Sequence, residues 1–290
     1  MRGWWRDLSD LVMPGECGGC GRARTVLCPR CRTALSGAAP GRVRPVPEPS
    51  GLPVVHAAAR YADEVRAVLL AHKERGVLAL TAPLGVALAG AVRTGLRGVR
   101  TGTGDAGAVR VRGPVLLVPV PSARRAVRMR GHDPARRIAL AAAGELRRTG
   151  TPARVLAVLR QRHTVADQSG LGARERLDNL DGALTVVPGG GRLLCRGGPV
   201  VLVDDLMTTG ASLTEAARAV RAGADERWAG AATYGTAKSA VYPSASGEGR
   251  EERRAGPRMA GPSGGGDVIR EVICAAVVAS TPDSFEINRN

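Results

Sequence analysis

One segment, Val200 to Ser212, constrains the fold of this chain more than any other. It reads VVLVDDLMTTGAS, so an apolar run passes directly into two carboxylates and then into hydroxyl residues and a glycine. A continuous run of valine and leucine is typical of a strand buried on both faces of a parallel sheet. A helical pattern, Leu213 to Ala222, follows at once. The segment therefore predicts a strand, loop and helix that together form a ligand site at the carboxyl edge of an open α/β sheet.

The loop of this unit has the residue types of an anion site. Backbone N–H groups near Gly210, the hydroxyls between Thr208 and Ser212, and the helix dipole would together hold a phosphate. Asp204 and Asp205 precede the loop, and such carboxylates accept hydrogen bonds from a sugar diol or help to hold Mg²⁺. A helix cap explains one polar residue but not the whole cluster. Neither a P-loop nor a dinucleotide fingerprint is present in this segment.

Strand and helix patterns alternate along the chain from Ala62 onward. We expect an α/β fold, with an open, mostly parallel sheet flanked by helices. The predicted helices are Ala62 to Glu74, Ala79 to Val92 and Asp133-Pro134 to Gly150, and the further predicted strands are Val115 to Val118 and Val155 to Leu159. Either Trp228 to Tyr234 or Val272 to Ala279 completes the sheet, and the sequence leaves that choice open.

Four of the six cysteines lie in two C-x-x-C motifs separated by seven residues. They are Cys17, Cys20, Cys28 and Cys31. Four thiolates around one point suit tetrahedral zinc, and four protein ligands leave no open position, so we expect a structural zinc. A disulfide pair and a thioredoxin-like redox motif are weaker alternatives. Cys195 and Cys274 lie in apolar runs, which predicts core positions.

Composition changes divide the chain into five stretches. We expect a small N-terminal zinc-binding module over residues 1–36, a Pro/Gly-rich linker over 37–53 and the main domain over 54–236. A low-complexity insertion follows over 237–267, and residues 268–290 hold the last strand and a C-terminal tail.

Charge and hydropathy exclude some classes of protein. The formal charge is +16, almost all of it from arginine, which attracts anions. Only 2% of the residues are aromatic, which argues against a stacking platform for nucleic acid. The most apolar stretch, Val77 to Val92, is too short for a membrane span, and the N-terminus lacks signal-peptide features. We therefore expect a cytoplasmic protein with no membrane span.

The segment Val200 to Ser212 resembles the 5-phosphoribosyl-1-pyrophosphate (PRPP) motif of type I phosphoribosyltransferases. From about Leu11 to Gly223 the chain resembles the ComF family, in which a four-cysteine zinc module precedes such a domain. Further stretches that carry the resemblance are VPVPSARRAVRMRGHDPARRIA, the lysine of LLAHKERG, and a loop with Arg160, Arg162, Thr164, Gln168, Arg176 and Asn179. His132, Asp133 and Pro134 stand where many members have Phe-Asn-Gln, so no role is carried to them.

The resemblance implies PRPP and Mg²⁺ as ligands, structural zinc, and transfer of a phosphoribosyl group to a nucleobase or amine with release of pyrophosphate. It implies that the segment Arg160 to Gly172 is a closing lid. The residues that it assigns to catalysis are Lys73, Arg128, Arg130 and Arg162. The residues that it assigns to PRPP are Asp204, Asp205, Met207, Thr208, Thr209, Gly210, Ala211 and Ser212.

Two alternatives stay open at this point. The resemblance also implies a competence or DNA-uptake accessory factor, with single-stranded DNA or the uptake machinery as its partner. The same PRPP motif would equally serve a PRPP-sensing regulator without turnover.

Overall fold

The structure, a computed structural model, describes residues 15–101, 113–162, 180–196, 198–236 and 272–285. Its centre is a six-stranded sheet with the order β1-β2-β8-β7-β3-β4, in which only the edge strand β1 is antiparallel to its neighbour. The strands are β1 Gly41–Val43, β2 Val55–Arg60, β3 Val115–Pro119, β4 Ala153–Val155, β7 Val200–Met207 and β8 Val272–Ser280. A separate antiparallel hairpin joins β5 Leu159–Gln161 to β6 Leu184–Val186. The expected α/β class and mostly parallel sheet are thus confirmed.

Helices cover both faces of this sheet. They are α1 Pro29–Ser36, α2 Asp63–Lys73, α3 Thr81–Thr101, α4 Arg124–Arg130, α5 Pro134–Arg148, α6 Gly190–Arg196 and α7 Ala211–Thr236. Short 3-10 turns lie at Leu78–Leu80 and Pro282–Ser284. Helices α2, α3 and α5 pack on one face, whereas α7 packs on the other together with the β5–β6 hairpin.

The alternation of side chains along β7 divides the core into two halves. Val201 and Val203 enter the cluster under α2, α3 and α5, whereas Val200 and Leu202 enter the cluster under α7. Successive side chains of a strand point to opposite faces, so both faces need apolar residues when both are covered by helices. This accounts for the unbroken apolar run that begins β7.

Most predicted elements are confirmed, with shifted ends. Helix α5 begins at Pro134 with Asp133 as its cap, whose side chain accepts from the Arg136 N–H. Helix α7 is much longer than predicted, and it includes Trp228 to Tyr234, so that stretch is not a strand. The strand next to β7 and β2 is instead β8. The prediction of one strand over Val155 to Leu159 is wrong, because the chain leaves the sheet after β4 and starts the hairpin with β5.

The stretches 1–36 and 37–53 have more contact with the main domain than the sequence indicated. Residues 37–53 include β1, which pairs with β2, and Val43 is fully buried. Three of the four motif cysteines, Cys17, Cys28 and Cys31, belong to the same core cluster as α2 and α3. Buried contacts with the main domain therefore extend into both of these stretches. The insertion over 237–267 lies outside the described residues.

One helical stretch, Leu78–Gly98, is long and apolar enough to cross a membrane by length and composition. It is longer than the sequence predicted, because α3 continues beyond Val92 to Thr101. The helix packs against β2, β8 and α5, and Gly85 brings it so close to α5 that a Cβ there would lie 2.4 Å from Ala141 Cβ. This packing accounts for its apolar composition without a bilayer.

Candidate functional site

The carboxyl end of β7 carries the two carboxylates, and the period of the strand separates them. Asp205 continues the row of Val201 and Val203 toward α2, whereas Asp204 continues the row of Leu202 on the other face. Asp205 is buried and Asp204 is half-buried. The Asp205 backbone N–H donates to Asp204 Oδ1 at 2.8 Å. The two neighbours in sequence therefore occupy different environments.

Lys73, in the last turn of α2, contacts the buried carboxylate. Its Nζ lies 2.9 Å from Asp205 Oδ2, and about a third of the lysine side chain remains exposed. Burial alone would lower the pKa of Lys73, but the charges of Asp205 and Asp204 more than offset it and raise the pKa above its usual value. The lysine is therefore a fixed cation at the end of β7. Two expected site residues, distant in sequence, are brought together here.

Two buried histidines lie behind this ion pair. The rings of His72 and His132 meet edge to face with centroids 5.6 Å apart, and His72 Nε2 lies 3.1 Å from Thr81 Oγ1. Burial, followed by the nearby His132, lowers the pKa of His72 to about 4. His72 is thus neutral at pH 7, and the positive charge beside Asp205 comes from Lys73.

Asp204 shares a concavity with the loop that follows. Burial and the adjacent charge of Asp205 raise the pKa of Asp204 well above its usual range, against the opposing effect of Lys73. A bound cation or hydrogen-bond donor would favour the ionised form of this carboxylate. The concavity is lined by Asp204, Leu206, Met207, Thr208, Thr209, Gly210, Ala211, Ser212 and Leu213.

The loop turns sharply into α7 at Gly210. That glycine has φ +79°, and a Cβ on it would lie 3.1 Å from Leu52 Cδ2, so both conformation and space favour glycine. Thr214 N–H donates to Gly210 O as an early helical bond. The N–H groups before it have no helical acceptor, which is the usual condition of a helix start and suits an anion.

Two residues expected to bind PRPP have their side chains elsewhere. Met207 is buried in the core under α7, and its carbonyl accepts from Ser280 Oγ and from Thr281 N–H, both at 3.2 Å. Ala211 is buried in a small cluster with Leu180 and Ala183. These two residues can offer a ligand only backbone atoms, because their apolar side chains complete the packing beneath the loop.

The two arginines expected on α4 have different surroundings. Arg130 is half-buried and makes a bidentate ion pair with Glu74, with both N–O distances at 3.0 Å. Glu74 directly follows α2, so Arg130 lies beside the Lys73 end of that helix, and its charge opposes protonation of Lys73. Arg128 is exposed on α4, and no contact joins it to the Lys73–Asp205 pair.

Arg162 lies in a different place, a cleft of about 380 Å³. The cleft is lined by Arg124, Arg160, Gln161, Arg162 and Thr185. Within the described part of the chain, no carboxylate lies within ion-pair distance of its three guanidinium groups. Arg124 follows the end of β3, which neighbours β7 in the sheet. As far as the described residues go, the cleft is therefore a positive surface suited to an oxyanion.

An ion pair with one buried partner, which the sequence did not reveal, contacts the hairpin that carries two of these arginines. Glu215 of α7 is buried, accepts from the Leu184 N–H at 2.8 Å and pairs with Arg218 at 2.6 Å. Arg218 in turn donates to Leu184 O at 3.0 Å. The i,i+3 spacing was the available signal, but only the fold shows that its target is β6. The rest of the expected lid, residues 163–172 with Thr164 and Gln168, and the later Arg176 and Asn179 lie outside the described residues.

The four motif cysteines form the second candidate site, and we call the segment Cys17 to Cys31 the cysteine knuckle. One sulfur from each residue lies within 4.8 Å of the other three, and the Sγ atoms of Cys20 and Cys28 are 3.6 Å apart. A tetrahedral zinc with Zn–S bonds of about 2.3 Å separates its sulfurs by roughly 3.8 Å. All four cysteines are free of disulfides. The donor set and its spacing therefore fit a structural metal such as zinc.

The thiols of the cysteine knuckle differ in acidity. Burial acts to raise the pKa of Cys17, but N–H groups including that of Cys28, which donates to Cys17 Sγ at 3.3 Å, lower it to about 6. The N–H of Cys31 is the main cause that lowers the pKa of Cys28. Burial and the other cysteine sulfurs raise the pKa of Cys31. A bound dication would relieve this competition, because metal ligands are thiolates.

The remaining cysteines are separate from the knuckle. Cys274 is buried in β8, and burial raises the pKa of its thiol to about 12, so it is a core residue as predicted. Cys195 is exposed on α6, so the prediction of a core position is wrong there. Its apolar neighbour Leu194 is the residue that packs inward.

No protein-family profile matches the chain, and no curated protein matches it significantly.

Proposed function

We propose that the protein binds PRPP with Mg²⁺ at the end of β7 and transfers its phosphoribosyl group to an acceptor, with release of pyrophosphate. The observation that carries the proposal is the Lys73–Asp205 ion pair at 2.9 Å beside the loop that starts α7. A fixed cation, two carboxylates and a helix start at one edge of a parallel sheet match the parts of a phosphorylated sugar. The resemblance to ComF proteins and type I phosphoribosyltransferases points to the same chemistry.

Each part of the site has a task in this proposal. The loop from Thr208 to Ser212 holds the 5-phosphate through N–H and hydroxyl groups at the start of α7. Asp204, which faces the same concavity, accepts hydrogen bonds from the ribose hydroxyls. Asp205 keeps Lys73 in place, and the lysine faces the leaving group. Mg²⁺, when bound with PRPP, neutralises the pyrophosphate.

The transfer breaks the C1–O bond to pyrophosphate and forms a C1–N bond to the acceptor. The transition state has cation character at C1, so the protein mainly positions the ribose and stabilises the departing charge. Lys73, with Arg130 next to it, supplies that positive charge at the Asp205 side. The arginine cleft around Arg162 lies one strand further along the sheet edge, where it could receive the released oxyanion or an acidic group of the acceptor.

The experiment that tests the proposal is calorimetric titration of the purified chain with PRPP and MgCl₂. Binding should be saturable and should depend on Asp204. Pyrophosphate release is then measured with nucleobases and simple amines as acceptors. Binding together with acceptor-dependent release supports transfer, binding without release supports a sensor, and the absence of binding refutes the proposal.

A second candidate function rests on the arginine cleft. Its three guanidinium groups would also attract the backbone of single-stranded DNA, as an accessory factor of DNA uptake would require. Binding of a fluorescent oligonucleotide should then weaken steeply with salt and weaken further in Arg160→Ala with Arg162→Ala. Oligonucleotide binding that depends neither on salt nor on these two arginines would exclude this role for the cleft.

A further inference from the structure

The cysteine knuckle lies directly on the helix that carries Lys73. A Cβ on Gly18 would lie 2.7 Å from Leu80 Cδ1 and 3.5 Å from Ala71 Cβ, and one on Gly19 would lie 3.3 Å from Val68 Cγ2. Val68, Ala71 and Leu80 are fully buried. The two glycines thus bring the backbone of the knuckle into contact with α2 and with the turn that follows it.

Polar contacts join the same two parts at both ends of α2. Arg30 of α1 pairs with Glu64 in the first turn of α2. Just after the last turn, Arg75 Nη2 donates to Gly18 O at 3.5 Å. The first residue of α2, Asp63, lies next to this pair and has φ +42°, a conformation that L-residues rarely adopt. The knuckle therefore holds α2 at its beginning, along its buried face and at its end.

The position of Lys73 depends on this contact. Lys73 lies in the last turn of α2, between the end held by Arg75 and the buried face held by the knuckle. A bound metal would fix the four sulfurs relative to one another, in addition to backbone hydrogen bonds of the knuckle such as that from Gly18 N–H to Val26 O at 3.0 Å. The shape of the knuckle therefore sets the position of α2.

We propose that the metal-loaded cysteine knuckle is the positioning element for Lys73, so that loss of the metal releases the lysine from Asp205 while the sheet stays folded. The link between the knuckle and α2 stands on contacts alone. The consequence for ligand binding rests on the proposed function.

The two lysines of the chain make the test simple. Lys73 and Lys238 are the only lysines, so acylation by sulfo-NHS-acetate can be followed at both sites by mass spectrometry. In the zinc-loaded full chain, Lys73 should react slowly relative to Lys238, because the ion pair keeps its amine protonated. Chelation of the zinc should raise the ratio of the two rates several-fold, and a fall of one pKa unit in the amine accounts for about tenfold. An unchanged ratio would overturn the proposal.

Hydrogen exchange distinguishes local release from general unfolding. After chelation, amides of α2 should exchange at least about tenfold faster, whereas those of α5, on the same face of the sheet, should keep their protection. Equal loss in α2 and α5 would mean that the metal supports the whole fold, and this outcome would also overturn the proposal.

A matched pair of variants tests the contact without touching the metal ligands. Arg30→Ala removes the link to Glu64, whereas Arg32→Ala removes an exposed arginine of the same helix that makes no such link. With zinc bound in both, Arg30→Ala should raise the Lys73 acylation ratio and Arg32→Ala should not. Equal Lys73-to-Lys238 acylation ratios in the two variants would contradict a positioning role of the knuckle.

The ligand experiment separates this inference from the proposed function. Zinc removal should weaken PRPP binding in the wild type but cause no further loss in Lys73→Ala, because both changes remove the same contact. Additive losses would overturn the positioning role. If the wild type binds no PRPP at all, the proposed function fails, while the acylation and exchange results still decide whether the knuckle positions Lys73.

Discussion

The cysteine knuckle and the end of β7 are two candidate sites built in opposite ways. The knuckle takes all its donors from Cys17 to Cys31, a short stretch that one turn and the start of α1 bring together. The β7 site joins Lys73 to Asp205, residues far apart in the chain that meet only because α2 packs on the face toward which Asp205 points. A local site can be recognised from spacing, whereas a non-local site depends on which face each residue occupies.

The largest expected effect concerns the local site. Cys31→Ser removes a fully buried ligand, and structural zinc contributes on the order of 10 kcal/mol to the folding of small metal sites. Elemental analysis should show about one zinc per wild-type chain and almost none in the variant, and hydrogen exchange should show loss of protection over residues 15–36. Cys195→Ser, which alters an exposed cysteine outside the knuckle, should keep its zinc. A zinc-free wild type prepared without chelator would contradict the assignment.

The next effect concerns ligand binding at the non-local site. Asp204→Asn removes a charged acceptor from the concavity, and a hydrogen bond to a charged group contributes roughly 1.5–3 kcal/mol. Calorimetry should therefore show PRPP affinity reduced by about one to two orders of magnitude. Asp283→Asn, an exposed position beyond β8, is the control and should bind PRPP normally. Equal affinity of Asp204→Asn and wild type would mean that Asp204 does not contact the ligand.

A smaller effect concerns the turn between β7 and α7. Gly210→Ala places a side chain at φ +79°, which costs about 1–2 kcal/mol, and also presses on Leu52. Denaturant unfolding should show that loss of stability. Gly144→Ala lies within α5 with open space around its Cβ, so it should leave stability unchanged or raise it by up to about 1 kcal/mol. The opposite ordering of these two variants would show that the turn is not strained by a side chain.

The smallest expected effect is a pH dependence in the ligand-free protein. The pKa of Asp204 is raised by folding, so its contribution to stability is complete below the unfolded pKa of about 3.9 and is lost as pH rises through the folded pKa. Asp204→Asn should remove that decline and should be slightly more stable than the wild type at pH 7. Urea unfolding of the wild type and the variant between pH 4 and pH 8 measures the decline and the difference in stability at pH 7. A variant less stable than wild type at pH 7 would indicate that Asp204 makes a structural contact.

Asp205, the adjacent carboxylate on the same strand, should differ from Asp204 in the ligand-free protein. Asp205 is buried against Lys73, so its charge is compensated even when no ligand is bound. From the sequence alone, we assigned both carboxylates the same role toward a sugar diol or Mg²⁺. In the structure only Asp205 pairs with Lys73, and of the two carboxylates only Asp204 lines the concavity with the loop.

The sequence by itself determined the local features of the protein. The apolar run of β7, the glycine at the turn into α7, the capped start of α5 and the four-cysteine spacing each depend on residues close in the chain. Such features follow from side-chain period, backbone conformation and ligand geometry, which need no knowledge of the rest of the fold. They were sufficient to predict the α/β class, the clustering of the four cysteines and the position of the loop.

The tertiary structure alone decided which distant residues meet. It placed β8 between β2 and β7, put Arg162 in a cleft with Arg124, and packed the cysteine knuckle on α2. The physical reason is that strand order and helix placement follow from burial of both faces of the sheet, a property of the whole chain. Whether a lysine after a helix faces a carboxylate after a strand is settled only when both elements have packed.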